Sequence, residues 1–249
     1  IKGLDIDWHA LEHIKILGGE PTFSPNFPKL IDFLLEHSEV ENVELEIVSN
    51  CTNKLSDDMI DKLNMFGSIM LTCSLDGCND YNSYQRWGSP GWKETLDIYL
   101  WYHSVLNNMK KYHIHSTYTI LNLSGLADDM KYWEDNYYDW SVSFNFVTSG
   151  EYSPYVVPTW YTDWILKQWG DTKGIRIDLA KKMFKENQIK YKPWKTWGLA
   201  MLKLQAIDDY YDSSLGDYCP ELEMLLLKHD KTYQHNQYYE TLEDFNYEM

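Results

Sequence analysis

The sequence predicts an α/β fold built on a parallel β-sheet. Between residues 13 and 148, short runs rich in β-branched and aromatic residues alternate with stretches whose apolar residues recur at helical spacing. Ser residues and Ser-Pro pairs precede several of the helical stretches, where helices are expected to start. The alternation breaks at residues 149–158, which contain Gly150, Pro154 and Pro158. Repeated strand–helix units of this kind build a parallel sheet covered by helices.

Five strands are predicted. They cover residues 13–17, 43–49, 69–75, 113–121 and 142–147. Along the third strand, Met70, Thr72, Ser74 and Asp76 share one face, and Ile69, Leu71, Cys73 and Leu75 share the other. A polar face opposite an apolar face favours an interior that meets a ligand and an exterior covered by helices. The pattern is compatible with a barrel or part of one, and also with an open doubly wound sheet.

Seven helices are predicted, four between the strands and three after them. Those between the strands cover residues 27–37, residues 57–66, a stretch opened by Ser89-Pro90 and a stretch opened by Ser124. Those after residue 158 cover residues 175–187, 194–211 and 220–229. We therefore predict a strand–helix domain at 1–150 and a mostly helical, aromatic-rich extension at 151–249.

The composition predicts a soluble globular protein with an acidic surface. Of its 249 residues 44% are hydrophobic, yet no run approaches the roughly 20 apolar residues that a membrane-spanning helix needs. The 22 Lys and Arg residues and 38 Asp and Glu residues give a formal net charge of −16. A negative field opposes nonspecific binding to nucleic acid and anionic membranes. We expect neither as a partner.

The segment Leu17-Gly18-Gly19-Glu20-Pro21 follows directly on the first predicted strand. Ligands of α/β folds bind at this carboxyl end of the strands. Paired glycines let backbone groups approach a ligand closely, and a carboxylate beside them can accept hydrogen bonds from an ammonium group. The alternative is an ordinary tight turn with a solvated Glu.

Polar segments also follow the next three strands. Ser49-Asn50-Cys51-Thr52-Asn53 ends the second strand, Ser74-Leu75-Asp76-Gly77 ends the third, and Asn122 follows the fourth. Tyr81, Tyr84, Arg86 and Trp87 come shortly after the third. Turn formation through side-chain bonds to nearby backbone is the alternative interpretation of such residues.

In order and position, these segments resemble the motifs of the radical S-adenosylmethionine (radical SAM) superfamily. The matching stretches are ILGGEPTFSPNFPKLIDFL, VELEIVSNCTN, IMLTCSLDGCNDYNSYQRWGSPGWKETLD and TYTILNLSGL, within residues 14–126. The resemblance implies a partial (β/α)6 barrel, here lacking its first strand, that binds S-adenosylmethionine across its top. It also implies an enzyme that generates a 5′-deoxyadenosyl radical to modify a peptide or small-molecule substrate.

The resemblance further implies a set of cofactor contacts. Gly18, Gly19 and Glu20 match the motif that holds the methionine amino group. Arg86 matches a basic position that can meet the methionine carboxylate. Polar strand-end contacts are implied at Asn50, Ser74 and Asn122. Cys51 stands where the family often has glycine, which puts the local turn in question.

The [4Fe–4S] cluster of that family is the part for which this sequence offers no ligands. A CxxxCxxC motif occurs nowhere in it, and the four cysteines are scattered at Cys51, Cys73, Cys78 and Cys219. An iron–sulfur cluster needs thiolates that converge on one site. Because the chain starts at Ile1 rather than Met, we expect the cluster ligands upstream of residue 1, and an external electron donor. The alternative is a cluster-free, non-catalytic module that binds a peptide or protein partner.

The remaining features receive structural or general interpretations. Scattered cysteines without a signal segment indicate a reducing, cytoplasmic setting. The C-terminal part loosely resembles twitch or SPASM extensions, but only Cys219 lies beyond residue 78, so we expect no auxiliary cluster. His113 and His115 share a strand face, and without an acidic third ligand a structural role is favoured over metal binding.

Overall fold

The computed structural model describes residues 7–86, 88–150, 152–170, 172–188 and 194–229. Its sheet has five strands: β1 (His13–Ile16), β2 (Glu44–Ser49), β3 (Ser68–Ser74), β4 (His113–Tyr118) and β5 (Ser141–Phe146). The pairs β1–β2, β2–β3 and β3–β4 are parallel. All five strands lie within three residues of their predicted bounds, and the predicted α/β class is confirmed.

The strands lie side by side in chain order, β1-β2-β3-β4-β5. A doubly wound sheet reverses its strand order at a switch point, whereas successive βα units of a barrel add each strand on the same side. Since the order does not reverse across the described sheet, its winding is that of part of a barrel.

Ten α-helices lie in the described residues. They are α1 (Phe27–His37), α2 (Asp57–Leu63), α3 (Asp80–Gln85), α4 (Trp92–Val105), α5 (Leu126–Asn136), α6 (Thr159–Trp169), α7 (Ile175–Gln188), α8 (Trp194–Tyr211), α9 (Leu215–Tyr218) and α10 (Pro220–His229). All seven predicted helices are confirmed, although the one predicted at 57–66 ends at Leu63. Short 3-10 turns occur at Pro21–Phe23, Leu123–Gly125 and elsewhere. Among these helices, none is long and apolar enough to cross a bilayer.

The chain forms two compact units that alternate along the sequence. The first comprises the described residues up to Asp76, Gly88–Thr117 and Trp133–Phe144. The second comprises residues 77–86, Tyr118–Tyr132 and the described residues from Asn145 onward. The two-domain division predicted at residue 150 stays a prediction, as does the twitch-like character of the extension.

The first unit packs its helices on the apolar face of the sheet. Ile31 and Leu34 of α1 are fully buried, as are Leu45 of β2 and Ile69 of β3. Tyr99 of α4 is fully buried too, and its hydroxyl lies 3.1 Å from the carbonyl oxygens of Leu71 and His113. This face is therefore closed, and most polar side chains of the strands lie on the other one; Ser49 and Ser116 are buried exceptions.

The second unit uses large aromatic side chains as its core. The Trp169 indole donates to the Leu123 carbonyl at 3.0 Å, and the Tyr161 hydroxyl donates to the Ile120 carbonyl. Trp197 is buried and meets Trp160 edge to face, with ring centroids 5.6 Å apart. Packing between helices, rather than stacking on a substrate, is the use that the sequence favours for Trp160, Trp164, Trp169, Trp194 and Trp197, and it accounts for the placement of Trp160, Trp169 and Trp197. The side chain of Trp194 lies outside the described residues.

Candidate cofactor-binding site

The loop after β1 needs its two glycines for backbone reasons. Gly18 has φ 98° and Gly19 has φ 53°, in the left-handed region that side-chain-bearing residues rarely adopt. A Cβ atom added at either position would meet no atom within 4 Å. Crowding therefore does not explain the glycines. Instead the turn exposes a backbone segment with open space beside it at the carboxyl end of β1.

Glu20 fastens this loop to the end of β2. Its Oε1 accepts hydrogen bonds from the Thr22 amide (3.1 Å), the Thr22 hydroxyl (2.7 Å) and the Ser49 hydroxyl (2.9 Å). Its Oε2 accepts from the Asn50 amide at 2.6 Å. The solvated Glu of an ordinary tight turn is therefore not what forms. Oε1 accepts from three described donors and Oε2 from one, so Oε2 is the oxygen that can accept from a ligand ammonium group as well.

The segment after β2 is a side-chain-stabilised turn. The Asn50 Oδ1 accepts from the Thr52 amide at 3.1 Å and from its hydroxyl at 2.7 Å. Cys51 is fully buried and has φ 51°, and its amide donates to the Ser49 hydroxyl at 3.0 Å. The turn interpretation thus holds for Asn50, and Cys51 occupies the left-handed conformation that glycine would adopt without strain.

Sheet register brings Ser74 to the same edge as Asn50 and Glu20. Ser49 pairs with Cys73, so Asn50 and Ser74 are the next residues of two neighbouring strands. Ser74 is partly exposed and pairs with His115 of β4. The structure therefore gathers Gly18, Gly19, Glu20, Asn50 and Ser74 at one end of the sheet within the first unit.

Arg86 and Asn122, the other two predicted contacts, belong to the second unit. Arg86 ends α3, and its amide donates to the Asn82 carbonyl at 2.9 Å. Asn122 is buried, and its Oδ1 accepts from the Thr119 amide at 2.7 Å. That bond stabilises the turn before α5; cofactor contact by these two residues stays a prediction. Trp87, from the same motif as Arg86, lies outside the described residues.

The cysteines do not fit an iron–sulfur cluster. Across the described part of the chain, no three His, Cys, Asp or Glu side chains are grouped to hold a metal ion. Cys51, Cys73 and Cys219 are buried, and burial raises the pKa of both the Cys78 and Cys219 thiols. Cluster ligation requires converging thiolates. All four thiols are therefore better explained as structural.

Sequence reasoning missed an ordered set of polar residues on the open face of the sheet. Lys15 of β1 pairs with Glu46 of β2 at 2.5 Å. His113 lies between Thr72 and Ser143, at 3.0 Å from each hydroxyl. The signal was available, because polar residues alternate with apolar ones in β1 and β4 as they do in β3. It was used for β3 and, in β4, only to place His113 and His115 on one face.

No protein-family model and no curated protein matches the chain. Among solved structures, it is similar to native anSMEcpe with bound AdoMet and Cp18Cys peptide: 15% identity, 58% of this chain and 43% of that chain covered, TM-score 0.41. It is also similar to Streptococcus suis SuiB bound to S-adenosylmethionine: 18% identity, 68% and 41% covered, TM-score 0.40. For a histidine-tagged form of anSMEcpe with bound AdoMet the values are 14% identity, 81% and 51% covered, and TM-score 0.42. The chain thus spans about half the length of these structures, or less.

Proposed function

We propose that this protein is a radical SAM enzyme that generates a 5′-deoxyadenosyl radical and uses it to modify a peptide or small-molecule substrate. One observation carries the proposal. The Gly18-Gly19-Glu20 loop stands at the carboxyl end of β1, and its carboxylate is bonded to the end of β2. This is where a parallel sheet binds its ligand, and the motifs that follow on β2, β3 and β4 come in the order of the family they resemble.

The first unit offers the chemistry that the methionine end of S-adenosylmethionine requires. Glu20 Oε2 can accept from the α-ammonium group, and the open backbone of Gly18 and Gly19 lets that group approach. Asn50 and Ser74 supply polar groups at the neighbouring strand ends. When bound, S-adenosylmethionine supplies the 5′-deoxyadenosyl group; the residues named here bind and orient it. Arg86 and Asn122 are proposed as further contacts on the strength of their motifs.

The [4Fe–4S] cluster of this chemistry would take its ligands from outside residues 1–249, because the four cysteines of the chain do not fit it. A strand preceding β1 and an external electron donor belong to the same proposal. So does a cytoplasmic location, since scattered cysteines without a disulfide framework suit a reducing compartment.

A peptide or small-molecule substrate is favoured over nucleic acid by charge. The formal net charge of −16 opposes a polyanion. Filter binding of labelled tRNA is the corresponding check. Saturable binding that persists as salt rises would argue for an RNA substrate instead.

The decisive test is anaerobic reconstitution with iron and sulfide of the protein together with the sequence encoded before Ile1, followed by assay for 5′-deoxyadenosine. We expect cluster absorbance and 5′-deoxyadenosine, and a large loss of product in Glu20→Gln at equal cluster content. The absence of both cluster absorbance and 5′-deoxyadenosine would refute the proposal. The cluster-free binding module would then be the better account, most clearly if the upstream coding sequence held no CxxxCxxC.

A further inference from the structure

The open face of the sheet carries a hydrogen-bonded row of side chains that the proposed function does not use. We call it the imidazole row: Thr72 of β3, His113 and His115 of β4, and Ser143 of β5. All four belong to the first unit. Register places Thr72 beside His113 and Ser74 beside His115, so the row lies on the same face as Ser74.

Ser143 joins the two imidazoles. Its Oγ lies 3.0 Å from His113 Nε2, 2.8 Å from His115 Nδ1 and 3.4 Å from the carbonyl oxygen of Ile114. At the far end of the row, His113 Nδ1 lies 3.0 Å from the Thr72 hydroxyl. Both nitrogens of His113 are therefore engaged by protein groups.

The tautomers follow from counting protons. Ser143 has one hydroxyl proton, and the Ile114 carbonyl can only accept, so we assign that proton to the carbonyl, which gives each of the three Ser143 contacts one donor and one acceptor. His113 Nε2 and His115 Nδ1 then both donate to Ser143. His113 Nδ1 accepts from Thr72, which agrees with a neutral ring: burial, and next the neighbouring His115, lower the pKa of His113. His115 Nε2 is left with a lone pair.

His115 Nε2 accordingly differs from the other three nitrogens of the row. Within the described part of the chain it has no hydrogen-bond partner, while the ring is partly exposed and stands beside Ser74 near the carboxyl edge. In His113 both nitrogens are engaged by protein hydroxyls. His115 instead has one nitrogen fixed by Ser143 and the other presented to the open face.

We propose that His115 is a ligand-binding residue whose Nε2 accepts a hydrogen bond from a neutral N–H or O–H donor of a molecule held at the carboxyl edge of the sheet. A ribose hydroxyl and a peptide amide N–H both have this chemistry. The proposal goes beyond the function proposed above, because it requires neither a cluster nor a radical.

The test is nitrogen-15 NMR of the histidine side chains of the 249-residue chain. The free protein should show His115 protonated at Nδ1 only. Two probes distinguish the sources of the donor: adenosine for a nucleoside hydroxyl, and N-acetylalanine N′-methylamide for a peptide amide. At least one probe should shift His115 Nε2 and the Ser74 backbone amide in a saturable way, while His113 Nδ1 moves little.

Variants separate binding from folding. His115→Leu removes the acceptor and should weaken the effective probe about tenfold, as expected for one lost hydrogen bond. His115→Gln supplies an amide oxygen and should retain most of the affinity, and His103→Gln, on α4, should match the wild type. If His115→Leu does not give a folded spectrum, the probe affinity of His115→Gln and the tautomer of His115 in the wild-type protein still test the proposal.

Three outcomes would overturn the proposal: a proton on His115 Nε2 in the free protein, no response of His115 to either probe, or equal probe affinity in His115→Leu and wild type. S-adenosylmethionine serves as a separate arm. If it fails to bind while the peptide probe shifts His115, the role proposed for the Gly18-Gly19-Glu20 loop fails and the role of His115 stands. If S-adenosylmethionine binds and neither probe shifts the His115 signals, the role proposed for His115 fails and the S-adenosylmethionine proposal stands.

Discussion

Glu20 is the side chain on which the candidate site depends most. Its carboxylate accepts four hydrogen bonds, from Thr22, Ser49 and Asn50, and so joins the ends of β1 and β2. The sequence predicted this residue from its place after two glycines. It could not predict the partners, because Ser49 and Asn50 lie about 30 residues away and reach Glu20 only through strand pairing.

Glu20→Gln should destabilise the fold as well as the site. The amide nitrogen of Gln would point a donor at groups that themselves donate, so we expect the free energy of unfolding to fall by about 1–3 kcal/mol. Urea denaturation measures this. Glu12→Gln, at an exposed position just before β1, is the matched control and should stay within about 0.5 kcal/mol of wild type. Equal stability of the two variants would contradict the observed bonding of Glu20.

Cys51 tests the turn at the end of β2. In Cys51→Ala the strain of the left-handed backbone remains. Cys51→Gly removes that strain, which costs a residue with a Cβ atom about 1–2 kcal/mol. Cys51→Gly should therefore be at least as stable as Cys51→Ala, although it removes one more carbon. Cys73 is equally buried but lies inside β3, and there Gly should be less stable than Ala by about 1 kcal/mol. The same Gly-to-Ala difference at both positions would show that Cys51 carries no strain.

At the scale of elements, prediction succeeded where periodicity was strong and failed where helix formers were poor. The predicted range 27–37 coincides with α1, whose apolar residues share one face, and 220–229 coincides with α10. Helices α3, α6 and α9 were missed. The α3 sequence DYNSYQ contains weak helix formers and is stabilised by its Asn79 cap. Pro158 indicated a break, yet it directly precedes α6, as proline often does at a helix start.

His103, on helix α4, should make the stability of the protein depend on pH. His103 stacks on Tyr112 with ring centroids 3.4 Å apart, and burial lowers its pKa to about 4. His103 therefore takes up a proton near pH 6.5 in the unfolded chain but only near pH 4 in the folded protein. The contribution of neutral His103 to the free energy of unfolding is fully present above about pH 6.5 and is lost as the pH falls towards 4. His103→Phe keeps a stacking ring and cannot titrate.

The expected difference is modest because His103 is only partly buried. The lowered pKa of His103 would by itself reduce the free energy of unfolding by up to about 2 kcal/mol between pH 7.5 and pH 5. Solvent screening reduces this change to about 1 kcal/mol. Wild type should therefore lose about 1 kcal/mol more than His103→Phe in urea unfolding across that range. Parallel pH profiles for the two proteins would contradict a lowered pKa of His103.

At the scale of the whole molecule, the sequence predicted the parallel sheet and the edge at which the candidate site residues gather, but not the packing that divides the chain. Strand and helix periodicities are local, so β1 to β5 could be found one at a time. The alternating units arise from long-range contacts. Arg86 and Asn122 belong to one unit and Glu20, Asn50 and Ser74 to the other, whereas sequence order alone had joined them into one set. The sequence also did not predict the hydrogen bonds on the open face, because His113 and His115 were considered without the Thr72 and Ser143 hydroxyls that contact them.

The central claim is that the loop after β1 binds S-adenosylmethionine, and the most direct measurement is a titration of the nitrogen-15-labelled chain with S-adenosylmethionine followed by amide NMR. We predict saturable shifts concentrated at Gly18, Gly19, Glu20 and Asn50. The affinity should be weaker than about 1 µM, since the described residues hold no ligand set for the iron that would chelate the methionine amino and carboxylate groups. The Glu20→Gln variant should lose most of the response. No shifts in the wild-type loop, or the same shifts in Glu20→Gln, would contradict the claim.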